Sequence, residues 1–214
     1  MRPLLAATVD HDRLFPHPHL ARLVIPKLAQ DVEATAAAGV PWMADNGAFT
    51  GFDEFAAARF ERMLDRLAGL PGCRFVTCPD VVGEAGLTDL LFEEWAPAIA
   101  ARRLPIAYVV QEHGCEYEPR GVPWGPIDAL FIGCATDEVK LSPGVAVLAR
   151  EARARGKWVH WGRVNSRRRI RYAVSTGACD SFDGTCFSRW DRAHLADGLR
   201  WCGEAAAQPS LFVS

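Results

Sequence analysis

The stretch that decides the fold runs from residue 127 to residue 162. It opens with Ile127-Asp128-Ala129-Leu130-Phe131-Ile132-Gly133, a short apolar run ending in glycine. A segment of helical character follows. Ser142 can cap its start, Pro143 suits its first turn and Gly156 suits its end. Lys157-Trp158-Val159-His160-Trp161-Gly162 then repeats the apolar run and its glycine. The reading is strand, helix, strand, and it recurs in both directions along the chain.

Strands are expected near 4–9, 41–45, 74–78, 105–111, 127–133, 157–162 and 178–183. Several are continuous apolar runs, as in strands buried on both faces. Between them, Phe52, Phe55, Ala56, Met63, Leu64 and Leu67 form one apolar helix face. Leu87, Leu91, Trp95 and Ile99 form another, and Pro97 predicts a kink or an end to that helix. Further helices begin near Ser166 and Asp191. Strict alternation makes the class α/β. Seven strands, with room for an eighth, at roughly 25–30 residues per unit point to a (β/α)8 barrel of the TIM type. It would be compact, trimmed below the usual ~250 residues, and one domain over 1–214. A doubly wound open sheet is the alternative. No Gly-x-Gly-x-x-Gly turn follows the first strand and no Walker loop is present, which argues against dinucleotide or nucleotide-triphosphate binding.

Half of the 214 residues are hydrophobic and 23% are charged, an ordinary globular balance. No apolar run approaches the ~20 residues of a membrane span. The run Leu4-Leu5-Ala6-Ala7-Thr8-Val9 stops at Asp10, too short for a signal-peptide core. The expected location is cytoplasmic, with no membrane partner. Seven cysteines form no Cys-x-x-Cys pair, which suggests reduced thiols and no zinc cluster. His11 and the pair His17-Pro18-His19 invite a metal reading, but prolines flank the pair. No metal or other cofactor is expected. His160, inside a strand, reads as a hydrogen-bonded core histidine. Trp42, Trp95, Trp158 and Trp201 read as packing residues. Trp161 or Phe49 could instead stack on a flat base.

The net charge of −2 conceals a division. Residues 1–139 hold 11 Lys/Arg and 20 Asp/Glu, net −9, and residues 140–214 hold 13 and 6, net +7. Arg163, Arg167, Arg168, Arg169 and Arg171 concentrate the positive charge. Such a cluster can track phosphates or simply solvate a helix face.

Polar or glycine clusters end six of the apolar runs: Asp45-Asn46-Gly47-Ala48-Phe49, Pro79-Asp80, Gln111-Glu112-His113, Gly133-Cys134, Gly162-Arg163-Val164-Asn165 and Asp183-Gly184-Thr185. In a parallel barrel these ends share one face, so distant residues can line one pocket. Asp45 and Asp183 across such a pocket suit attack at a sugar anomeric carbon. Asp45 in Asp-Asn-Gly also reads as a turn former, and Asp183 also as a helix cap. Asp80 and Gln111 end neighbouring strands and together offer the acceptors and donors that read a purine edge.

In order and spacing these clusters resemble the tRNA-guanine transglycosylase superfamily, and more narrowly its small relatives in 7-deazapurine modification of DNA. Asp45-Asn46-Gly47-Ala48-Phe49 is similar to the family's Asp-Ser-Gly-Gly-Phe. Trp161-Gly162-Arg163-Val164-Asn165 is similar to its Met-Gly-Val-Gly turn, and Asp180-Ser181-Phe182-Asp183 to its Asp-x-Phe-Asp. The resemblance spans about residues 41–190. It implies Asp183 as nucleophile and Asp45 as its active-site partner. It implies substrate contacts from Asp80, Gln111, Gly133, Phe49, Gly162, Arg163, Asn165 and Arg189. Arg167 and Arg168 then become candidates for backbone phosphates. Thr50 departs from the family's glutamine, and Gly184-Thr185-Cys186-Phe187-Ser188 lacks its Pro-Thr. The Cys-x-Cys-x-x-Cys zinc motif is missing, which turns the expectation from tRNA toward DNA. The implied activity is exchange of guanine in a nucleic acid for a 7-deazaguanine base, the enzyme being a pentosyltransferase. A second copy or a modification-complex subunit would be the protein partner. Two other readings stay open: a nucleoside N-glycosidase on the same barrel, and a non-catalytic nucleic-acid-binding subunit.

Overall fold

The computed structural model describes residues 3–47, 52–111, 121–189 and 192–207, with the side chains of residues 188, 189 and 192 outside that set. Eight parallel strands close into a barrel in chain order. They are β1 (Leu4–Ala7), β2 (Leu20–Val24), β3 (Trp42–Ala44), β4 (Cys73–Thr77), β5 (Ile106–Val110), β6 (Ala129–Ile132), β7 (Trp158–Trp161) and β8 (Ser181–Asp183). β8 pairs with β1 through Leu5↔Phe182 and Ala6↔Asp183, which completes the ring. The helices are α1 (Val32–Ala37), α2 (Glu54–Leu67), α3 (Ala85–Ala101), α4 (Asp137–Lys140), α5 (Pro143–Ala154), α6 (Arg167–Ser175), α7 (Thr185–Arg189) and α8 (Arg192–Ala206). The barrel is complete, and the open-sheet alternative falls.

The eighth strand is β2, for which the apolar pattern gave no warning. Arg22 stands in its middle and is fully buried. Its guanidinium donates to the carbonyls of Val9 (2.9 Å) and Leu28 (2.7 Å), to Thr35 Oγ1 (2.8 Å) and to the Asp31 carboxylate. A buried charge is tolerated when paired and hydrogen-bonded, and here four acceptors converge.

Side chains alternate across each strand. One set points outward and packs beneath the helices, as Trp42, Tyr108, Leu130 and Phe182 do. The other set fills the interior: Ala6, Ala21, Leu23, Met43, Phe75, Ala107, Val109, Ala129 and Phe131. Alanines and large rings share this interior, so side chains fill the lumen as in other small barrels. Phe75 and Phe131 meet edge to face at 6.3 Å, and the His160 ring lies 4.5 Å from Phe131.

Two helix faces differ from expectation. On α2 the buried stripe is Ala56, Phe60, Met63, Leu64 and Leu67, while Phe55 is 77% exposed. Phe55 lies one residue off that stripe, and Phe60 holds the central position. Phe52 packs in, meeting Phe60 and Trp95. On α3 the buried stripe is Thr88, Phe92, Ala96 and Ile99, one residue displaced from Leu87 and Leu91. Thr88 draws it round, since its Oγ1 accepts from Val81 N–H and donates to Val81 O. The helix does not end at Pro97 but continues to Ala101. Pro97 is on the exposed side, so water can serve the carbonyl it leaves unpaired. The capping expectation for Ser142 holds, its Oγ accepting from Val145 N–H, and the helix expected near Ser166 starts there with Ser166 Oγ accepting from Arg169 N–H.

Candidate active site at the barrel mouth

Alternation carries polar residues to the mouth. Two residues beyond interior Met43 comes Asp45; beyond Val109, Gln111; beyond Phe131, Gly133; beyond His160, Gly162; and beyond Ser181, Asp183. All sit at C-terminal strand ends, the end that carries chemistry in this fold.

Asp45 makes the turn its Asp-Asn-Gly sequence implies, its Oδ1 accepting from Gly47 N–H at 2.9 Å. It is also crowded by charge. Burial first, then Asp80, and more weakly Asp183, push its carboxyl up to about 7, against the Gly47 N–H and the Arg163 guanidinium. The turn reading of Asp45 holds, and the same carboxyl stands close to Asp80 and Asp183.

Asp80 is held by two amides, one on each oxygen. Asn46 Nδ2 donates to Oδ1 at 2.7 Å and Gln111 Nε2 to Oδ2. Gln111 is turned for this by Gly83 N–H, which donates to its Oε1 at 3.3 Å. Burial raises the Asp80 carboxyl, and Asn46, Arg163 and Gln111 oppose the rise. Gly133 lies against this group: a Cβ there would stand 2.8 Å from Val109 and 3.0 Å from Gln111 Nε2. Its N–H is committed to Val110 O at 2.9 Å.

Asp183 Oδ1 has two nitrogen neighbours. Arg163 N–H donates to it at 3.1 Å, and His160 Nε2 lies 3.1 Å away. The His160 Nδ1 is 2.8 Å from Ser181 Oγ, which also accepts from Trp158 Nε1 at 2.7 Å. Arg163 reaches this position in a left-handed backbone conformation, φ 56°. Its carbonyl is fixed in turn by Asn165 N–H at 3.0 Å and Arg169 Nη1 at 2.5 Å, so the strained turn is held from both sides. Gly184 follows because a Cβ would sit 2.7 Å from Asn165 Oδ1.

Other expected contacts lie elsewhere or have structural work. Gly162 gives its N–H to Ile132 O and its carbonyl to Lys140 Nζ, and a Cβ there would strike Phe131 at 2.5 Å. Asn165 Oδ1 accepts from Cys186 N–H at 3.2 Å and so braces α7. Arg167 pairs with Glu204 (2.6 Å) and Arg168 with Asp137 (3.7 Å), both on the outer surface. Trp161 is fully buried on the outer side of the sheet, its Nε1 on Ala178 O, and does not face the mouth. Phe49 lies outside the described residues, as does the Arg189 side chain. His17 and His19 pack on each other just before β2, at the opposite end of the barrel. Among the described residues no three His, Cys, Asp or Glu side chains gather as a metal site requires.

Three groups had no role on sequence grounds. Asn46 was one residue of a turn. His160 was a core histidine, and it is one, fully buried yet in contact with Asp183. Lys140 is fully buried, its Nζ on the Ile132 and Gly162 carbonyls at the ends of β6 and β7. Burial lowers its ammonium to about 8, while Cys134 and Asp183 oppose the fall. The signal for His160 was its period-2 step to Gly162; Lys140 had none.

Comparison with models of known protein families found no match, and comparison with curated protein sequences found none either. No helix among the described residues is long and apolar enough to cross a membrane.

Proposed function

We propose that this barrel is a base-exchange transglycosylase, replacing guanine in a nucleic acid, DNA in preference to tRNA, with a 7-deazaguanine base. The observation that carries the reading is the unequal treatment of the carboxylates at one mouth. Asp183 has one oxygen held by Arg163 N–H and 3.1 Å from His160 Nε2, whereas Asp45 is pushed up to about 7 and can carry a proton near neutrality. A carboxyl that can hold a proton, beside one held by hydrogen bonds through a single oxygen, suits a division of acid–base from nucleophilic work. The residues also match, in order, the motifs of the resemblance.

In the reaction, an oxygen of Asp183 bonds to the sugar C1′ as the C1′–N9 bond breaks. The electron pair leaves with guanine, which takes a proton from Asp45. The incoming base returns a proton to Asp45 as its N9 bonds to C1′ and displaces Asp183. Asp80, aligned by Asn46 and Gln111, accepts hydrogen bonds from the N–H edge of the base. The target base leaves its stack to reach the mouth.

Wild-type protein mixed with a guanine-containing oligonucleotide should give a slow-migrating adduct on denaturing gels. Asp183→Asn should bind but give no adduct, and exchange should fall by several orders of magnitude, roughly as when other covalent nucleophiles are removed. Near-normal exchange by the Asn variant rejects the reading. Base release without an incoming base points to an N-glycosidase. Binding without any chemistry points to a non-catalytic subunit.

A further inference from the structure

A line of hydrogen bonds runs from the barrel interior to Asp183: Trp158 Nε1 to Ser181 Oγ (2.7 Å), Ser181 Oγ to His160 Nδ1 (2.8 Å), and His160 Nε2 to Asp183 Oδ1 (3.1 Å). Its direction follows from the chemistry of its ends. Indole N–H only donates, so Ser181 Oγ accepts at one end. A carboxylate only accepts, so the His160 nitrogen facing it must carry hydrogen. The remaining His160 nitrogen is then an acceptor, and Ser181 can fill it because its hydroxyl proton is still free to point there. Each donor in the line meets one acceptor.

The imidazole itself is enclosed. It is fully buried, tilted against Phe131 at 4.5 Å and edge-on to Phe75 at 5.1 Å. Register locks the two strands that carry the line, with His160↔Ser181 as direct partners, and sets Phe131 of the neighbouring strand beside His160. Burial holds the His160 imidazole below its ordinary value, and Lys140 adds to this against the pull of Asp183. The ring is therefore neutral at pH 7, and one nitrogen bears hydrogen while the other does not.

We propose that His160 is the positioning residue for Asp183. Held as its Nε2–H tautomer by Ser181 and Trp158, it ties down Oδ1 together with Arg163 N–H and leaves Oδ2 as the attacking atom. Among the described residues no hydrogen bond reaches Oδ2. The inference rests on the transglycosylase reading for what Oδ2 attacks, and on hydrogen-bond geometry together with the burial of the ring for the tautomer.

Two measurements test it separately. Long-range proton–nitrogen NMR of the full-length wild type, with His160→Gln identifying the signal, reads the tautomer without any substrate. An Nε2–H ring at pH 7 is expected, and an Nδ1–H ring or an imidazolium overturns the proposal. The second measurement is the pH profile of base exchange. Asp45, Lys140 and Cys186 also face Asp183, and the Arg163 backbone binds it; all stay in place in the variants. His160→Met removes the donor at similar bulk. The anion loses a charged hydrogen bond, so kcat should fall roughly 10- to 100-fold and the acid limb of kcat/KM should move up by about 1 to 2 pH units. His160→Gln, whose amide reaches the same position, should restore most of both. An unmoved acid limb in His160→Met, or a Gln variant no better than Met, assigns His160 to packing only and overturns the proposal. If the tautomer is as expected but the wild type exchanges no base, the functional reading fails and the hydrogen-bond line stands. If exchange needs Asp183 but ignores His160, the functional reading stands and the positioning role of His160 fails.

Discussion

At the scale of single residues, Asp45 is where the chemistry strains the fold. Its carboxyl is raised to about 7 by burial and by the charges of Asp80 and Asp183. In the unfolded chain an aspartate titrates near ~3.9. Between these values the folded protein holds a proton that the unfolded chain has lost. This group's contribution to stability therefore declines as pH rises from about 4 to about 7, and is constant above. Asp45→Asn removes the cost of the buried charge while keeping an oxygen for the Gly47 N–H. Melts at pH 8 should show the Asn variant more stable than wild type by about 1–3 kcal/mol, allowing for the partial exposure of the group. Near pH 4 the two should coincide. Base exchange should fall in the same variant, because the amide carries no exchangeable acid proton. Equal melting differences at both pH values would show that Asp45 is not desolvated as described. His160 is the converse case: its burial is absorbed by Phe75, Phe131 and Ser181, so it can serve the site at little cost to the core.

At the scale of elements, β2 depends on one side chain. Arg22 bridges the segments on either side of it, from Val9 to Leu28, Asp31 and Thr35. Burial works to raise the Asp31 carboxyl, but His11 N–H and Arg22 hold it below the ordinary range. Arg22→Met keeps the bulk and removes every donor, leaving Thr35 and two carbonyls short of partners. Denaturant unfolding should show a loss of about 3–5 kcal/mol. Arg22→Lys should fall between, since one ammonium cannot reach all four acceptors. A Met variant within 1 kcal/mol of wild type, roughly the scale of a surface change, would contradict this account. The turn after β7 is another element set by its partners. Arg163 accepts a left-handed backbone because Asp183, Asn165 and Arg169 each hold one of its polar groups.

At the scale of the whole molecule, the acidic first part and basic last part of the chain close into one ring. The mouth gathers carboxylates, while Arg167 and Arg168 lie on the outer surface with Glu204 and Asp137. A nucleic acid strand reaching the mouth would have to draw these arginines from their carboxylate partners. Exposed pairs of this kind are weak, so phosphates can compete. Replacing Arg167 and Arg168 together by Ala should weaken binding uniformly across sequences. The slope of log K against log salt should fall in magnitude by at most about 2. Titrations of an oligonucleotide at several salt concentrations measure this directly. An unchanged slope would remove both residues from the phosphate path.

The class of fold was legible in the chain because seven of the eight strands are apolar runs and their helices carry caps such as Ser142 and Ser166. Local period and capping are written in neighbouring residues, so sequence alone determines them. It also determined that Asp45, Gln111, Gly133 and Asp183 would stand at strand ends, since each closes an apolar run. What it could not determine depends on atoms far apart in the chain. Arg22 concealed β2 because its four acceptors lie on other segments. Phe55 and Phe60 exchanged roles because a helix face is chosen by what it packs against. Asn46 became a partner of Asp80, and His160 of Asp183, only when the closed ring brought β3 beside β4 and β7 beside β8. Hydrogen-bond direction and desolvation are properties of that closed ring. They alone turn a list of polar residues into one carboxylate held through Oδ1 beside another that can hold a proton.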